Sequence, residues 1–219
     1  MHREPDELDV PTMNRMRTQA LIVVDVQDGF DDPSWGPRNN PECERNVAAL
    51  VDRWQELGWP VAVIRHDSVE DDSPLRPDRP GNQLKEFLHG RGDVLITKSV
   101  HSAFHGEPDL HQWLGRRGVE AIAVCGITTN HCCETTSRVG ADLGYQVTFV
   151  GDATATFDRQ RLSGEMIAAD ELAQITFANL SEEFADVRDT AAVLATLPAA
   201  AVRRPGFSPS GSRTPPRAR

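Results

Sequence analysis

The chain has 219 residues, 39% of them hydrophobic and 26% charged, with a net charge of −10. That length and apolar content suit one domain of ordinary size with a substantial core. The acidic balance argues against a nucleic-acid partner, and no apolar run reaches the roughly 18 residues that would span a bilayer, so no membrane partner is expected either.

Residues 1–17, "MHREPDELDVPTMNRMR", form a polar arm without the apolar stretch of a secretory signal. Four cysteines at irregular spacing fit a reduced, cytoplasmic protein. From residue 18 to 197, short apolar runs alternate with longer amphipathic segments. "ALIVVDV" (20–26), "PVAVIRH" (60–66), "DVLITK" (93–98), "EAIAVCGI" (120–127), "QVTFVGDA" (146–153) and "FADVRD" (184–189) are predicted strands. They are β-branched and almost continuously apolar, as strands buried on both faces are. Helices are predicted over 41–58, 107–118, 130–144 and 164–180, the first three ending near Gly58, Gly118 and Gly144. Residues 198–219, rich in Pro, Ser, Gly and Arg, are predicted to be a disordered tail. That tail holds five arginines and no acid, so the body before it is more acidic still. An acidic body attracts cationic small molecules, although plain solubility accounts for it equally well.

Alternating strands and helices imply right-handed crossovers and a parallel sheet flanked by helices. The fold class expected is α/β: a Rossmann-like three-layer α/β/α sandwich around a six-stranded, mostly parallel sheet. Ligands of such sheets bind at the carboxyl ends of the strands, and three of those ends carry reactive groups. The first delivers Asp25 in "VVDVQDGF". A carboxylate there costs several kcal/mol to desolvate unless it is paired; capping a loop amide is the alternative. The third delivers Lys98, one of only two lysines among 23 basic residues. A surface lysine is the simpler account, but scarcity and strand-end position favour a role specific to an ammonium group. The fourth delivers "AVCGITTNHCC". With Thr129 or Asn130 as N-cap, Cys132 falls in the first helical turn, where free amides favour a thiolate and can hold an oxyanion. In this reading Asp25 takes the thiol proton, Lys98 keeps Asp25 ionised and Cys132 attacks a carbonyl carbon.

Other readings of the cysteines are weaker. Adjacent cysteines chelate one zinc poorly and no CxxC partner exists; a vicinal disulfide is strained; two inert buried thiols remain the plain alternative.

The segments "LIVVDVQDGF", "TKSVHSAF" and "GITTNHC" resemble, in order and spacing, the isochorismatase-like cysteine hydrolase superfamily, which includes nicotinamidases and N-carbamoylsarcosine amidohydrolases. The resemblance covers about residues 18–195. It implies a catalytic triad of Asp25, Lys98 and Cys132, a cis peptide between Ile127 and Thr128, and an oxyanion hole made by the amides of Thr128 and Cys132. The acyl group would pass to Cys132 as a thioester and leave by attack of an Asp25-assisted water. Isochorismatases proper lack the cysteine, so its presence implies hydrolysis of a C–N bond. Nicotinamidases carry a metal-binding D-x-H after the second strand; here "VIRHDSVEDD" has His66 and Asp67 without that spacing, so neither a metal nor another cofactor is expected. The loop "DGFDDPSWGPRNNP" resembles the family's substrate loop. Gln27, Phe30, Trp35, His66, Phe104, Asn130 and His131 are the expected substrate contacts, and Asp31 and Asp32 beside the aromatics suit a cationic amide. The arginine-rich composition and acidic loops look similar to streptothricin hydrolase, a member that opens the lactam of a polycationic antibiotic. A homo-oligomer, dimer or tetramer, is expected by the same resemblance. A catalytically idle interaction protein and a redox pair of Cys132 with Cys133 are the competing functions.

Overall fold

In the computed structural model, which describes residues 18–199, the chain runs β1 (Gln19–Val24), α1 (Cys43–Leu57), β2 (Val61–His66), β3 (Val94–Lys98), α2 (Leu110–Gly115), β4 (Ala121–Ile127), α3 (Glu134–Asp142), β5 (Gln146–Ala155), β6 (Arg159–Gln160), β7 (Met166–Ile167), α4 (Ala169–Leu180), β8 (Asp186–Arg188) and α5 (Thr190–Thr196). The apolar run of β1 sets the architecture, because every residue from Ala20 to Val24 is fully buried. A strand with no exposed face needs pairing on both edges and cover on both faces. The six-stranded sheet supplies the pairing in the order β3-β2-β1-β4-β5-β8, with each neighbouring pair parallel. The cover divides by strand alternation. Ala20, Ile22 and Val24 join one apolar cluster with Leu110, Trp113 and Leu114 of α2 and Leu180 of α4. Leu21 and Val23 join the other with Val47, Leu50, Val51 and Trp54 of α1 and Val193 of α5. The result is the three-layer α/β/α arrangement expected.

Differences from the expected elements have local causes. α4 begins at Ala169 rather than 164, because residues 159–167 fold back as the antiparallel hairpin β6–β7. Asp158 Oδ1 then accepts the Ala169 N–H at 2.8 Å and starts the helix. α5 went unpredicted: it is only seven residues long, started by Asp189 Oδ1 on the Ala192 N–H. The polar arm (1–17) and all but two residues of the expected tail (198–219) lie outside the described residues.

Strand order reverses between β1 and β4, and the crevice opens at their carboxyl ends. Gly126 is what lets β4 lie against β1 there. Its φ is +124°, the β4–β5 register shifts beside it, and an added Cβ would stand 2.0 Å from the Val24 carbonyl oxygen. Gly126→Ala should therefore cost about 2–4 kcal/mol of stability, measurable as a lowered Tm and denaturation midpoint. An unchanged midpoint would remove this account.

Candidate active site

Four strand ends converge on one ammonium group. Lys98, the last residue of β3, donates to Asp25 Oδ2 at 2.6 Å, to His66 Nδ1 at 3.1 Å and to Cys132 Sγ at 3.4 Å. Asp25 follows β1, with φ +51° and its N–H bonded to the Ile64 carbonyl at 3.1 Å. His66 ends β2, and Cys132 lies just beyond β4. The side chains of Asp25 and Lys98 have no exposure at all. Asp25 Oδ1 is also buried and accepts no hydrogen bond. One carboxylate oxygen is thus held by the lysine while the other accepts no hydrogen bond, and the carboxylate lies within 4.8 Å of the Cys132 sulfur.

The segment that brings in Cys132 is the first helical turn expected, but it is a π turn and Thr128, not Thr129 or Asn130, stands at its N-cap. The Ile127–Thr128 peptide is cis, as expected, and residues 129–133 make a wide turn in which the Cys133 N–H reaches the Thr128 carbonyl at 3.2 Å. Neither Thr129 nor Asn130 caps it: Thr129 Oγ1 donates to Thr154 Oγ1 at 2.9 Å, and Asn130 Oδ1 accepts from Thr156 Oγ1. The turn leaves Cys132 on the cavity wall and puts Cys133 fully into the core.

The electrostatics also depart from expectation. Burial, reinforced by the Asp25 carboxylate, pushes the Cys132 thiol well above its ordinary value, and Lys98 only partly offsets this. Burial and the carboxylate both favour the thiol over a thiolate at Cys132. Burial works against the Lys98 charge, but the paired Asp25 carboxylate more than compensates and its pKa is raised. Burial, then Lys98, lowers His66. Burial, then Arg159 and His101, lowers His131 to about 4.

Asp25, His66 and Cys132 are also a set of metal-type donors within 4.8 Å of one another. Lys98 donates to all three, so an ammonium already fills the position between them. The set does not fit a metal while that lysine is charged and in place.

The cavity measures about 100 Å³ and is lined by Asp25, Phe30, Trp35, His66, Leu75, His101, Thr128, His131 and Cys132. Four expected contacts, Phe30, Trp35, His66 and His131, are on its wall. Trp35 is fixed by its indole N–H on the Gly29 carbonyl at 2.9 Å and by stacking on Phe157. Three expected contacts are elsewhere. Gln27 is fully buried and clamps β2, accepting the His66 N–H and donating to the carbonyls of His66 and Asn82. Phe104 stacks on Tyr145 in the core, and Asn130 is held by Thr156. The acids of the loop are engaged outside the cavity: Asp31 pairs with Lys85, and Asp32 accepts the Ser34 N–H at 2.9 Å. Leu75 and His101, which sequence reasoning missed, come from loops with no periodic signal; only the "HSAF" motif beside Lys98 pointed toward His101.

A doubly wound parallel sheet with a buried carboxylate, lysine and cysteine meeting at its switch point defines a cysteine hydrolase. Its family follows from comparison: an isochorismatase domain matches residues 19–192, and the chain belongs to the isochorismatase family. The uncharacterized isochorismatase family protein YrdC of Bacillus subtilis is 36% identical over 173 residues, covering 78% of this chain and 92% of its own length. Nicotinamidase 3 of Arabidopsis thaliana is 30% identical over 184 residues, covering 78% and 84%. Streptothricin hydrolase of Streptomyces noursei is 29% identical over 209 residues, covering 92% and 79%. The crystal structure of an isochorismatase-family hydrolase from Chromobacterium violaceum superposes with a TM-score of 0.77 at 36% identity, covering 88% of this chain and 97% of that one.

The lowered His131 pKa has a signed consequence. Its folded value lies below the unfolded value of about 6.5, so the unfolded chain binds more protons between the two. Stability is full above pH 6.5 and falls as the pH drops toward 4. The half-buried ring is partly screened by solvent, so its share at pH 5 is about 1 kcal/mol. Denaturation midpoints of wild type and His131→Asn at pH 7 and pH 5 should show a smaller loss on acidification in the variant.

Proposed function

We propose that this chain is a metal-independent cysteine amidohydrolase acting on a small carboxamide through a thioester on Cys132. The observation that carries the reading is the buried Asp25 carboxylate, one oxygen held by Lys98 and the other without a hydrogen bond, within 4.8 Å of the Cys132 sulfur. In this mechanism the Cys132 proton moves to Asp25 Oδ1 as Sγ bonds to the carbonyl carbon. Lys98 stabilises sulfur as its charge develops, and the amides of Thr128 and Cys132 receive the oxyanion. Asp25 returns the proton to the leaving nitrogen and the C–N bond breaks. A water deprotonated by Asp25 then attacks the thioester, which releases the acid and restores the thiol.

The size and lining of the cavity support a small, flat amide. Phe30 and Trp35 offer apolar faces, and about 100 Å³ leaves little room beyond the scissile group. The expected cationic substrate loses its main support, because Asp31 and Asp32 are engaged outside the cavity and Lys98 neutralises Asp25. The similarity to Nicotinamidase 3 favours a simple carboxamide; the similarity to streptothricin hydrolase keeps a cyclic amide as the second candidate.

Cys132→Ala should lower kcat/KM by at least about 10⁴-fold, as removal of a nucleophile does, while Cys133→Ala remains active. Mass spectrometry of the quenched wild type should find the acyl group on Cys132 alone, and EDTA should leave the rate unchanged. Full amide hydrolysis by Cys132→Ala would sink the mechanism.

A further inference from the structure

Most of the apolar wall of the cavity belongs to one aromatic cluster. The rings of Phe30 and Trp35 lie 5.2 Å apart, and both stack on Phe157, at 6.1 and 5.5 Å. The remaining apolar side chain on the wall is Leu75, which is 4% exposed and comes from the loop between β2 and β3.

That loop is tied down on two sides. The Leu75 carbonyl accepts from Asn82 Nδ2 at 2.8 Å and from the Ser68 N–H at 3.1 Å. Asn82, 2% exposed, also donates to the His66 carbonyl at 3.1 Å and to Asp67 Oδ1 at 3.0 Å. One buried amide therefore fixes Leu75 to the strand end whose imidazole accepts from Lys98. On the other side the leucine meets backbone. A Cβ added at Gly29 would stand 2.8 Å from Leu75 Cδ2, and one added at Gly81 would stand 2.7 Å from the Gly29 Cα. The loops 28–36 and 67–84 touch glycine to glycine, and Leu75 has no room to retreat. A side chain packed in this way does not make way for a larger ligand without strain.

We infer that Leu75, locked in place by Asn82, sets the size of the group admitted beside Cys132: a methyl group passes and a benzyl group does not. That this group belongs to an amide rests on the function proposed above; the size limit does not.

Thiol modification separates the two claims. In the full-length protein, Cys132 Sγ attacks the divalent sulfur of an alkyl methanethiosulfonate. An S–S bond to the alkylthio group forms, the sulfur–sulfonyl bond breaks, and methanesulfinate and the thiol proton leave. Relative to glutathione, wild-type Cys132 should react at least about tenfold faster with the methyl reagent than with the benzyl reagent. Leu75→Ala and Leu75→Val should lose most of that factor and Asn82→Ala part of it. Leu75→Met, which conserves volume, and Val69→Ala, at an exposed side chain, should keep it. Cys43, Cys125 and Cys133 are fully buried and report folding, because they stay unlabelled in a folded variant. Where Leu75→Ala labels them, the smaller change Leu75→Val decides. Equal relative rates in the wild type, including no reaction with either reagent, would overturn the inference. So would a preference that survives both Leu75→Ala and Leu75→Val, and an unchanged factor in Asn82→Ala would remove the lock. In parallel, kcat/KM for acetamide should exceed that for phenylacetamide by a similar factor, with the gain of Leu75→Ala and Asn82→Ala toward phenylacetamide falling mainly on KM. Turnover of both amides without a size preference overturns the size limit and spares the amidase. Preference for the methyl reagent without turnover of any amide keeps the size limit and removes the amidase.

Discussion

A single ammonium ion, that of Lys98, is the group on which the rest of the site depends. It touches side chains from the ends of β1 and β2 and from the turn after β4. Only the strand order β3-β2-β1-β4 makes that possible, because it sets four carboxyl ends side by side. A buried charge is tolerable when its donors are all satisfied, and here three acceptors take three N–H groups. The arrangement fixes one Asp25 oxygen, orients the His66 ring and supports the sulfur at once. Removing the lysine would leave the Asp25 carboxylate buried and uncompensated, which is why the electrostatics of the pocket cannot be altered one group at a time.

Much of this was legible in the amino-acid order. Buried parallel strands announce themselves by continuous apolar runs, and a polar residue at the end of such a run has few positions to occupy. Asp25, Lys98 and Cys132 were found in that way. Side-chain direction was less accessible. Gln27 was expected on the cavity wall, but the left-handed backbone at Asp25 precedes a turn that sends Gln27 back to clamp β2. Asn130 was expected to cap a helix or touch substrate, yet the wide turn at 129–133 hands it to Thr156. Leu75 and His101 come from loops, where no periodicity exists to read.

The same wide turn resolves the adjacent cysteines. A regular helix would already place them about 100° apart; here one borders the cavity and the other packs fully among apolar side chains. Composition was a poor guide to the chemistry of this place. The chain is acidic overall, while three histidines, His66, His101 and His131, line the cavity.

The protonated resting state of Cys132 bears on how the protein survives oxidants. Peroxide attacks thiolates, and susceptible cysteines are exposed and of low pKa. Cys132 is neither: it is 92% covered, and burial with Asp25 keeps its proton on. In the mechanism proposed, the sulfur gives up its proton only as it bonds to a carbonyl carbon. Burial and a retained proton together make Cys132 a poor target for peroxide in the empty site.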